Sequence, residues 1–175
     1  IWIETETLSG SGVMSACGGT GTYSGGGGAG GRIAILYRAL DAFDLTNNLA
    51  ASGGSGGANG SAGTIYTRQT EEDTGVLRIE NGAVVSTAGT PLWRPDGTND
   101  FENLTVLGTN LIVELPTGTV SAASILVGGS AKLVHPACTT NREYSLNLFI
   151  RGAVMIATNS AIDVSSRGYL TGRTL

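Results

Sequence analysis

The chain has 175 residues, of which 41% are apolar and only 14% are charged, and its formal net charge is −4. This apolar content excludes a disordered chain, and the acidic balance without a Lys/Arg cluster argues against a nucleic-acid partner. No apolar run approaches the roughly 20 residues that span a bilayer. The 28 glycines are about twice the usual share and indicate many tight turns between short strands.

Three apolar segments near the start of the chain recur at a constant spacing. They are Ile1-Trp2-Ile3, Ile33-Ala34-Ile35 and Ile65-Tyr66-Thr67. A glycine-rich run leads into the second and third segments. A period of this length, built from short β-segments and turns, is typical of a β-solenoid.

The glycine run before Ile33 contains G-x-G-x-x-G twice, starting at Gly25 and at Gly26. Asp44 follows at about the distance where a dinucleotide-binding fingerprint places its acid, but that fingerprint must also follow a buried strand and open a helix. The preceding GGTGTYS is no buried strand, and the corresponding stretch before Ile65, GANGSAGTI, lacks the spacing. We therefore interpret the run as a junction between repeats. Apolar residues from Ile33 to Phe43 have helical spacing, so this segment is predicted as either strand or helix.

Four further units follow, each an apolar-x-apolar pair, a turn with Gly or Asn, and a second apolar strand. They start at Leu77, Leu104, Ile125 and Leu148. Because side chains alternate along a strand, each pair should face inward together. The predicted inward pairs are Leu77/Ile79, Leu104/Val106, Ile125/Val127 and Leu148/Ile150. A last strand is predicted at Ile162-Asp163-Val164.

These patterns predict one all-β domain over residues 1–175, a right-handed parallel β-helix of about six coils. Residues 1–70 would form longer coils of about 32 residues, and residues 71–175 would form shorter coils of about 21–27 residues. Residues 90–100, which carry Trp93, depart from the repeat and are interpreted as an insertion loop. An antiparallel β-sandwich also uses many short strands and is the alternative fold.

One short segment resembles part of a metal-binding loop. Asp96, Thr98 and Asp100 alternate around Gly97, as oxygen ligands do in calcium loops, but a third acid and a closing Glu are missing. An Asp-Gly turn explains the same residues. We therefore expect neither a bound metal nor a cofactor.

Carboxylates are the residues through which a solenoid could cleave polysaccharides. Glu4 and Glu6 lie on one face of the first strand, and Asp41 and Asp44 lie in the next coil. No spacing argument places two of them at a hydrolase separation, and none builds a catalytic set around His135, the single histidine. We therefore expect no enzyme; a polysaccharide lyase or glycosidase is the alternative.

The two cysteines fit no metal-ligand spacing. Cys17 and Cys138 would lie about four coils apart, roughly 20 Å along the stack. A disulfide needs Cα atoms within about 7 Å, so the solenoid predicts no intrachain bridge. Cys17, between Ala16 and Gly18, is expected to be a small packed residue.

The segments GGGGAGGRIAILY, GSAGTIYTR and IDVSSRGYLTGRT resemble the glycine-rich repeats of very large secreted or surface-anchored β-solenoid proteins of bacteria and related microbes. The resemblance implies an extracellular or cell-surface location and a structural, fibre-forming or adhesive role. Because solenoid ends expose unpaired strands, we expect each end to abut another coil, of the same long chain or of a copy joined head to tail. A surface polysaccharide is the other partner that this interpretation admits.

Overall fold

The structure is a computed structural model that describes residues 1–92, 99–115 and 118–170. These residues form fourteen β-strands and no helix, so the predicted all-β fold is confirmed. The strands are β1 Trp2–Ser9, β2 Met14–Ser15, β3 Arg32–Asp41, β4 Leu49–Ala50, β5 Thr64–Gln69, β6 Gly75–Glu80, β7 Gly89–Pro91, β8 Asp100–Leu107, β9 Ile112–Glu114, β10 Thr119–Gly128, β11 Lys132–Val134, β12 Asn147–Ile150, β13 Val154–Ile156 and β14 Ala161–Ile162.

One large mixed sheet organises the molecule. Its strand order is β1-β3-β5-β6-β8-β10-β12, and β13 also pairs with β10. Neighbouring strands are parallel except at β5 and β6, which are antiparallel. The large sheet is therefore mixed, whereas the predicted parallel β-helix would have only parallel neighbours. The reversal occurs because β5 and β6 are joined by a short turn, which permits only antiparallel pairing, whereas parallel neighbours need a long crossover.

The strand register confirms most of the predicted repeat. Trp2 pairs with Ala34, and Ala34 pairs with Tyr66, which is the alignment that the recurring apolar segments predict. Leu77, Leu104 and Ile125 also follow one another across the sheet, as the starts of the later units predict.

The predicted alignment of Leu148 with Ile125 is wrong. Leu148 pairs with Val120, and it is Val154 that pairs with Ile125. The long strand β10 can accept β12 and β13 one after the other along its length. Val120 and Ile125 are both buried, so the apolar pattern alone fitted either register.

Two smaller parallel sheets pack against the large sheet as second-layer strands. Strands β2 and β4 make one, and β14, β11, β9 and β7 make the other. Ile162 in β14 pairs with Leu133 in β11, which places a strand at the start of the segment predicted from Ile162. These two sheets cover different faces of the large sheet: Leu49 of β4 lies in one hydrophobic core, whereas Val113 of β9 and Leu133 of β11 lie in the other.

Two hydrophobic cores result, and they lie on opposite faces of the large sheet. Directly paired residues share a face, and consecutive residues point to opposite faces. Tyr66 pairs with Leu77 of the second core, whereas Ile65, on the other face, belongs to the first. The first core is Leu8, Ile33, Ile35, Phe43, Leu49, Ala51 and Ile65; the second is Ala62, Leu77, Ile79, Leu92, Phe101, Leu104, Val106, Leu111, Val113, Leu115, Val120, Ala122, Ile125, Val127, Ala131 and Leu133.

The inward pairs predicted at Leu77, Leu104 and Ile125 are buried in the second core, as expected, while Leu148 and Ile150 are half-buried against it. The helix considered for residues 33–43 is wrong, since Arg32–Asp41 is strand β3. Pairing with β1 on one side and β5 on the other fixes alternation, which buries Ile33 and Ile35 and leaves Leu40 42% exposed.

The glycine-rich runs pack against one another. Four extended segments, residues 16–21, 25–31, 50–55 and 57–63, form what we call the glycine bundle. Gly28 and Gly31 donate to the carbonyls of Gly19 and Ala16, and Gly60 and Gly63 donate to those of Gly54 and Ala51. Partners therefore step by three residues, the repeat of a polyproline II helix, which makes no internal hydrogen bonds. The bundle is held by backbone bonds between its segments.

Close backbone approach explains why the bundle needs glycine. A Cβ added at Gly18 or Gly60 would overlap the carbonyl oxygen of Gly28, and neither position requires a positive φ. Side chains are therefore excluded from the interior positions because there is no room for a Cβ, and not because the backbone conformation requires glycine. Gly19 faces open space, so glycine is dispensable on the outside of the bundle.

Candidate functional site

The glycine run beginning at Gly25 is not a phosphate cradle. Such a cradle needs free backbone N–H groups to donate to the ligand. Gly25, Gly27 and Gly28 already donate to the carbonyls of Thr22, Ala58 and Gly19. The amides are used inside the glycine bundle, which supports the interpretation of the run as a junction between repeats.

The metal-loop residues are only partly described. Asp96 and Thr98 lie outside the described residues. Asp100 begins β8, and its Oδ1 forms an ion pair with Nη1 of Arg151 at 2.9 Å. Within the part of the chain that the structure describes, no three His, Cys, Asp or Glu side chains come together as metal ligands.

The candidate catalytic carboxylates are spread over separate features. Glu4 and Glu6 project from the outer face of β1, where Glu6 pairs with exposed Arg38 at 3.6 Å. Asp41 ends β3 beside Ser9, at the opposite end of β1 from Glu4. These three side chains therefore follow the sheet edge and do not converge.

Asp44 has a structural role. Its Oδ1 accepts the N–H groups of Thr46 and Asn47 at 2.8 and 3.0 Å, and its Oδ2 accepts Nδ2 of Asn47 at 2.7 Å. The Asn47 side chain, followed by these backbone donors, lowers the pKa of the Asp44 carboxyl. The charged Asp44 carboxylate is stabilised by these hydrogen bonds, and the same bonds stabilise the turn that follows it.

His135 and the two cysteines lie apart. His135 is buried after β11, and its Nδ1 lies 2.7 Å from the carbonyl oxygen of Pro136. Both thiols are free; Cys138 is buried, but Cys17 is exposed and not packed as expected, because it lies at the surface of the glycine bundle. Hydrogen bonds from Ser15, then Ser52, lower the pKa of the Cys17 thiol.

A cleft of about 750 Å³ lies where the exposed face of β1, β3 and β5 meets the end of the second core. Its wall combines apolar side chains with aromatic and charged groups. The residues that define this cleft here are Trp2, Arg32, Tyr66, Arg68, Asp73 and Phe101.

The cleft exists because the first and second cores lie on opposite faces of the large sheet. Strands β1, β3 and β5 bury Ile33, Ile35 and Ile65 on one face, so the opposite face of these strands has no described second-layer strand over it. Trp2, Ala34 and Tyr66 form a row across that open face. The small Ala34 side chain between two aromatic residues leaves a depression.

Tyr66 is held in place from two sides. Its ring meets that of Phe101 edge to face, with centroids 6.5 Å apart and an interplanar angle of 67°. A Cβ added at Gly75 would come within 2.6 Å of the Tyr66 ring and of the Thr67 carbonyl oxygen. Gly75 therefore makes room for the ring across the antiparallel pair.

The charges around the cleft are unevenly compensated. Arg68 donates from Nη1 to the neutral carbonyl of Glu72 at 2.7 Å, and Arg32 forms no ion pair with any described residue. Asp73 is exposed in the turn before β6, and Asp100 is neutralised by Arg151. Among the described residues that line the cleft, Arg32, Arg68 and Asp73 therefore form no ion pair, which leaves two positive charges and one negative charge.

The acids that the sequence suggested for polysaccharide cleavage, Glu4, Glu6, Asp41 and Asp44, do not line this cleft. The register row of Trp2, Ala34 and Tyr66 follows from the repeat of the first three apolar segments and could have identified the aromatic wall. Asp73 could not have been found this way, since it reaches the cleft through the reversal between β5 and β6.

No protein-family model, no curated protein and no solved structure matches this chain. Residues 1–92, 99–115 and 118–170 contain no helix of the length and apolarity needed to cross a membrane.

Proposed function

We propose that this chain is a structural segment of an extracellular β-solenoid, serving as a scaffold, adhesin or fibre element that extends by adding strands at its edges. The observation that carries the proposal is that, among the described residues, no strand pairs with the outer edges of β1, β12 and β13, beside which apolar side chains are exposed. Trp2 on β1 is 71% exposed, and Phe149 on β12 and Met155 on β13 are each 61% exposed.

Open edges of this kind favour further pairing. An edge strand presents unpaired N–H and C=O groups, and natural proteins usually protect it with charge, proline or a covering element. Here β12 and β13 carry Phe149, Met155 and Ile156 outward. In the proposal these side chains are covered by a following strand, of the same longer chain or of another copy.

The interior supports a stacking role. Ile79, Val106 and Val127 are fully buried and lie side by side in neighbouring strands. Such columns repeat at about 4.8 Å and let one coil template the next. The proposed solenoid has two stretches, before and after the β5–β6 reversal, with their cores on opposite faces of the shared sheet.

Joining of copies would be head to tail. The β1 edge differs from the β12 and β13 edge, so a contact between them is heterologous and generates an open filament unless it closes into a ring. The extracellular location rests on the resemblance of the glycine-rich repeats.

The test is to block one edge and measure assembly. Phe149→Lys with Met155→Lys places two charges on the β12 and β13 edge, while Val85→Lys adds a charge at an exposed position between β6 and β7. We expect the native chain to form filaments by electron microscopy and fast-sedimenting species, the double variant to remain monomeric, and Val85→Lys to assemble normally.

A native chain that stays a monodisperse monomer at high concentration would refute self-assembly. Equal assembly of the double variant and the native chain would show that this edge is not the contact. Surface location is checked separately, by digesting intact producing cells with protease; full protection of the chain contradicts it.

A further inference from the structure

We propose that the cleft binds an acidic oligosaccharide, with Trp2 stacking on a sugar ring and Arg32 and Arg68 pairing with sugar carboxylates. This goes beyond the structural role, because a scaffold requires no ligand on the open face of β1, β3 and β5. The proposal depends on the size, the aromatic wall and the charges of the cleft.

The size of the cleft selects the class of occupant. At about 750 Å³ it falls within the range of roughly 300–1,000 Å³ that is usual for small-molecule sites. A few sugar units of a longer chain match this volume.

The aromatic residues provide a platform. Trp2 is largely exposed on the outer face, and Tyr66 lies in the same row with Ala34 between them. An indole with one exposed side can pack against the C–H groups of a pyranose, because that contact buries apolar surface on both partners. Tyr66 is fixed by Phe101 and lines the floor, so this part of the cleft is preformed.

The charges favour an acidic sugar over a neutral one. Arg32 and Arg68 are not neutralised by any described carboxylate, although the chain as a whole carries a net charge of −4. Guanidinium groups bind carboxylates through paired hydrogen bonds. Asp73 can accept hydrogen bonds from sugar hydroxyls. A nucleic acid offers phosphates as well, but an acidic protein with only two such arginines at the described cleft would repel a long polyanion elsewhere on its surface.

The experiment measures binding by isothermal titration calorimetry with two probes, an alginate hexasaccharide, in which every unit carries a carboxylate, and neutral maltohexaose. The variants are Arg32→Gln with Arg68→Gln, and Trp2→Ala. Arg38→Gln is the matched control, because Arg38 is an exposed arginine on β3 whose partners are Glu6 and Glu71 outside the cleft.

We expect the native chain to bind the alginate probe and not maltohexaose, with affinity falling as salt rises. The double arginine variant and Trp2→Ala should each weaken binding at least tenfold, and Arg38→Gln should leave it unchanged. Binding of both probes with equal affinity, absence of binding at millimolar probe, or equal loss with Arg38→Gln would each overturn the proposal.

The arginine variants change only exposed or half-exposed side chains, so they keep the test valid if Trp2→Ala disturbs β1. Far-ultraviolet circular dichroism and thermal unfolding verify folding. The double arginine variant should still assemble, because it leaves Phe149 and Met155 intact. Loss of sugar binding with retained filaments thus separates this proposal from the structural one.

Discussion

Ile65 and Tyr66 are neighbours in β5, yet their side chains pack into different hydrophobic cores. Ile65 lies in the first core with Ile33 and Ile35, whereas Tyr66 packs against the second core beside Phe101. A single strand therefore serves as a wall of both. The cores touch through the backbone of the sheet and not through shared side chains.

The two cores should respond independently to mutation. Ile35 and Ile79 are fully buried, one in each core. Ile35→Val and Ile79→Val should each lower the free energy of unfolding by about 0.5–1.5 kcal/mol. Because the residues share no partners, the double variant should lose the sum to within about 0.5 kcal/mol in denaturant unfolding.

A second pair calibrates that experiment. Ile79 and Val106 lie directly opposite each other in β6 and β8, so Ile79→Val with Val106→Ala should deviate from additivity. Coupling between Ile35 and Ile79 as large as that between Ile79 and Val106 would contradict the separation of the cores.

Close packing in the glycine bundle predicts a difference between two glycines. Gly60→Ala places a Cβ against the Gly28 carbonyl in a buried position and should cost about 1–3 kcal/mol. Gly19→Ala enters open space and should be neutral or stabilising by up to about 1 kcal/mol, because it restricts the unfolded chain. Thermal unfolding compares the two; equal effects would mean that the bundle is loosely packed.

The amide group of Asn81 should be required for stability. It is buried after β6, where its Oδ1 accepts the N–H of Gly53 at 2.7 Å and its Nδ2 donates to the carbonyls of Val84 and Gly60 at 3.0 and 3.4 Å. Asn81→Asp retains the acceptor and places a charge against two carbonyls, so we expect a loss of at least about 2 kcal/mol at pH 7.

Acid should partly restore that variant, because a protonated carboxyl again supplies a donor. Chemical unfolding at pH 7 and pH 4 measures the difference. Asn141→Asp, at an exposed position, is the control and should change stability little at either pH. A variant Asn81→Asp as stable as the control would show that the amide donors are unimportant.

Asp163 predicts a pH dependence of stability. The Nζ of Lys132 lies 2.9 Å from its Oδ2, and this bond, followed by those from Ser165, lowers the pKa of the carboxyl. A lowered folded-state pKa stabilises the protein above the unfolded value of about 3.9, and that contribution is lost as the pH falls below it. Asp163→Asn should therefore lower the melting temperature at pH 7 and have progressively less effect towards pH 2.

Lys132→Met should reduce the same dependence, because it removes the largest cause of the shift. Melting curves of both variants and of the native chain between pH 2 and pH 7 test this. An effect of Asp163→Asn that is constant over that range would show that the carboxylate is not stabilised by folding.

The register of β1, β3 and β5 was predictable because identical apolar alternation recurs at Ile33 and Ile65, and parallel neighbours repeat the same inward positions. The steps through Leu77, Leu104 and Ile125 were predictable for the same reason. The placement of Leu148 was not, since Val120 and Ile125 are equally apolar and the length of β10 decides between them.

The apolar pattern of the sequence did not predict the antiparallel pairing of β5 with β6. It did not predict the glycine bundle either. Alternation shows which residues of one strand share a face. It does not show on which face of the sheet the apolar residues of the next strand lie, so it does not assign Ile65 and Leu77 to different cores. Glycine has no side chain to carry a pattern, and the three-residue step of the bundle is set by backbone bonds such as Gly28 to Gly19. The aromatic wall of the cleft was predictable from the register, but the place of Asp73 and Phe101 in the cleft depends on the reversal and was not.

The β5–β6 junction has a mechanical consequence. It joins the two parallel halves through only three register pairs, Ile65 with Arg78, Tyr66 with Leu77 and Thr67 with Val76, whereas β1 and β3 share seven. Under tension across the sheet each ladder is pulled open, and we expect this short ladder to part before the β1–β3 ladder. The Arg78 guanidinium, which bonds the carbonyls of Leu45 and Thr46 at 2.5 and 2.9 Å, spans this junction and would carry load when the ladder yields.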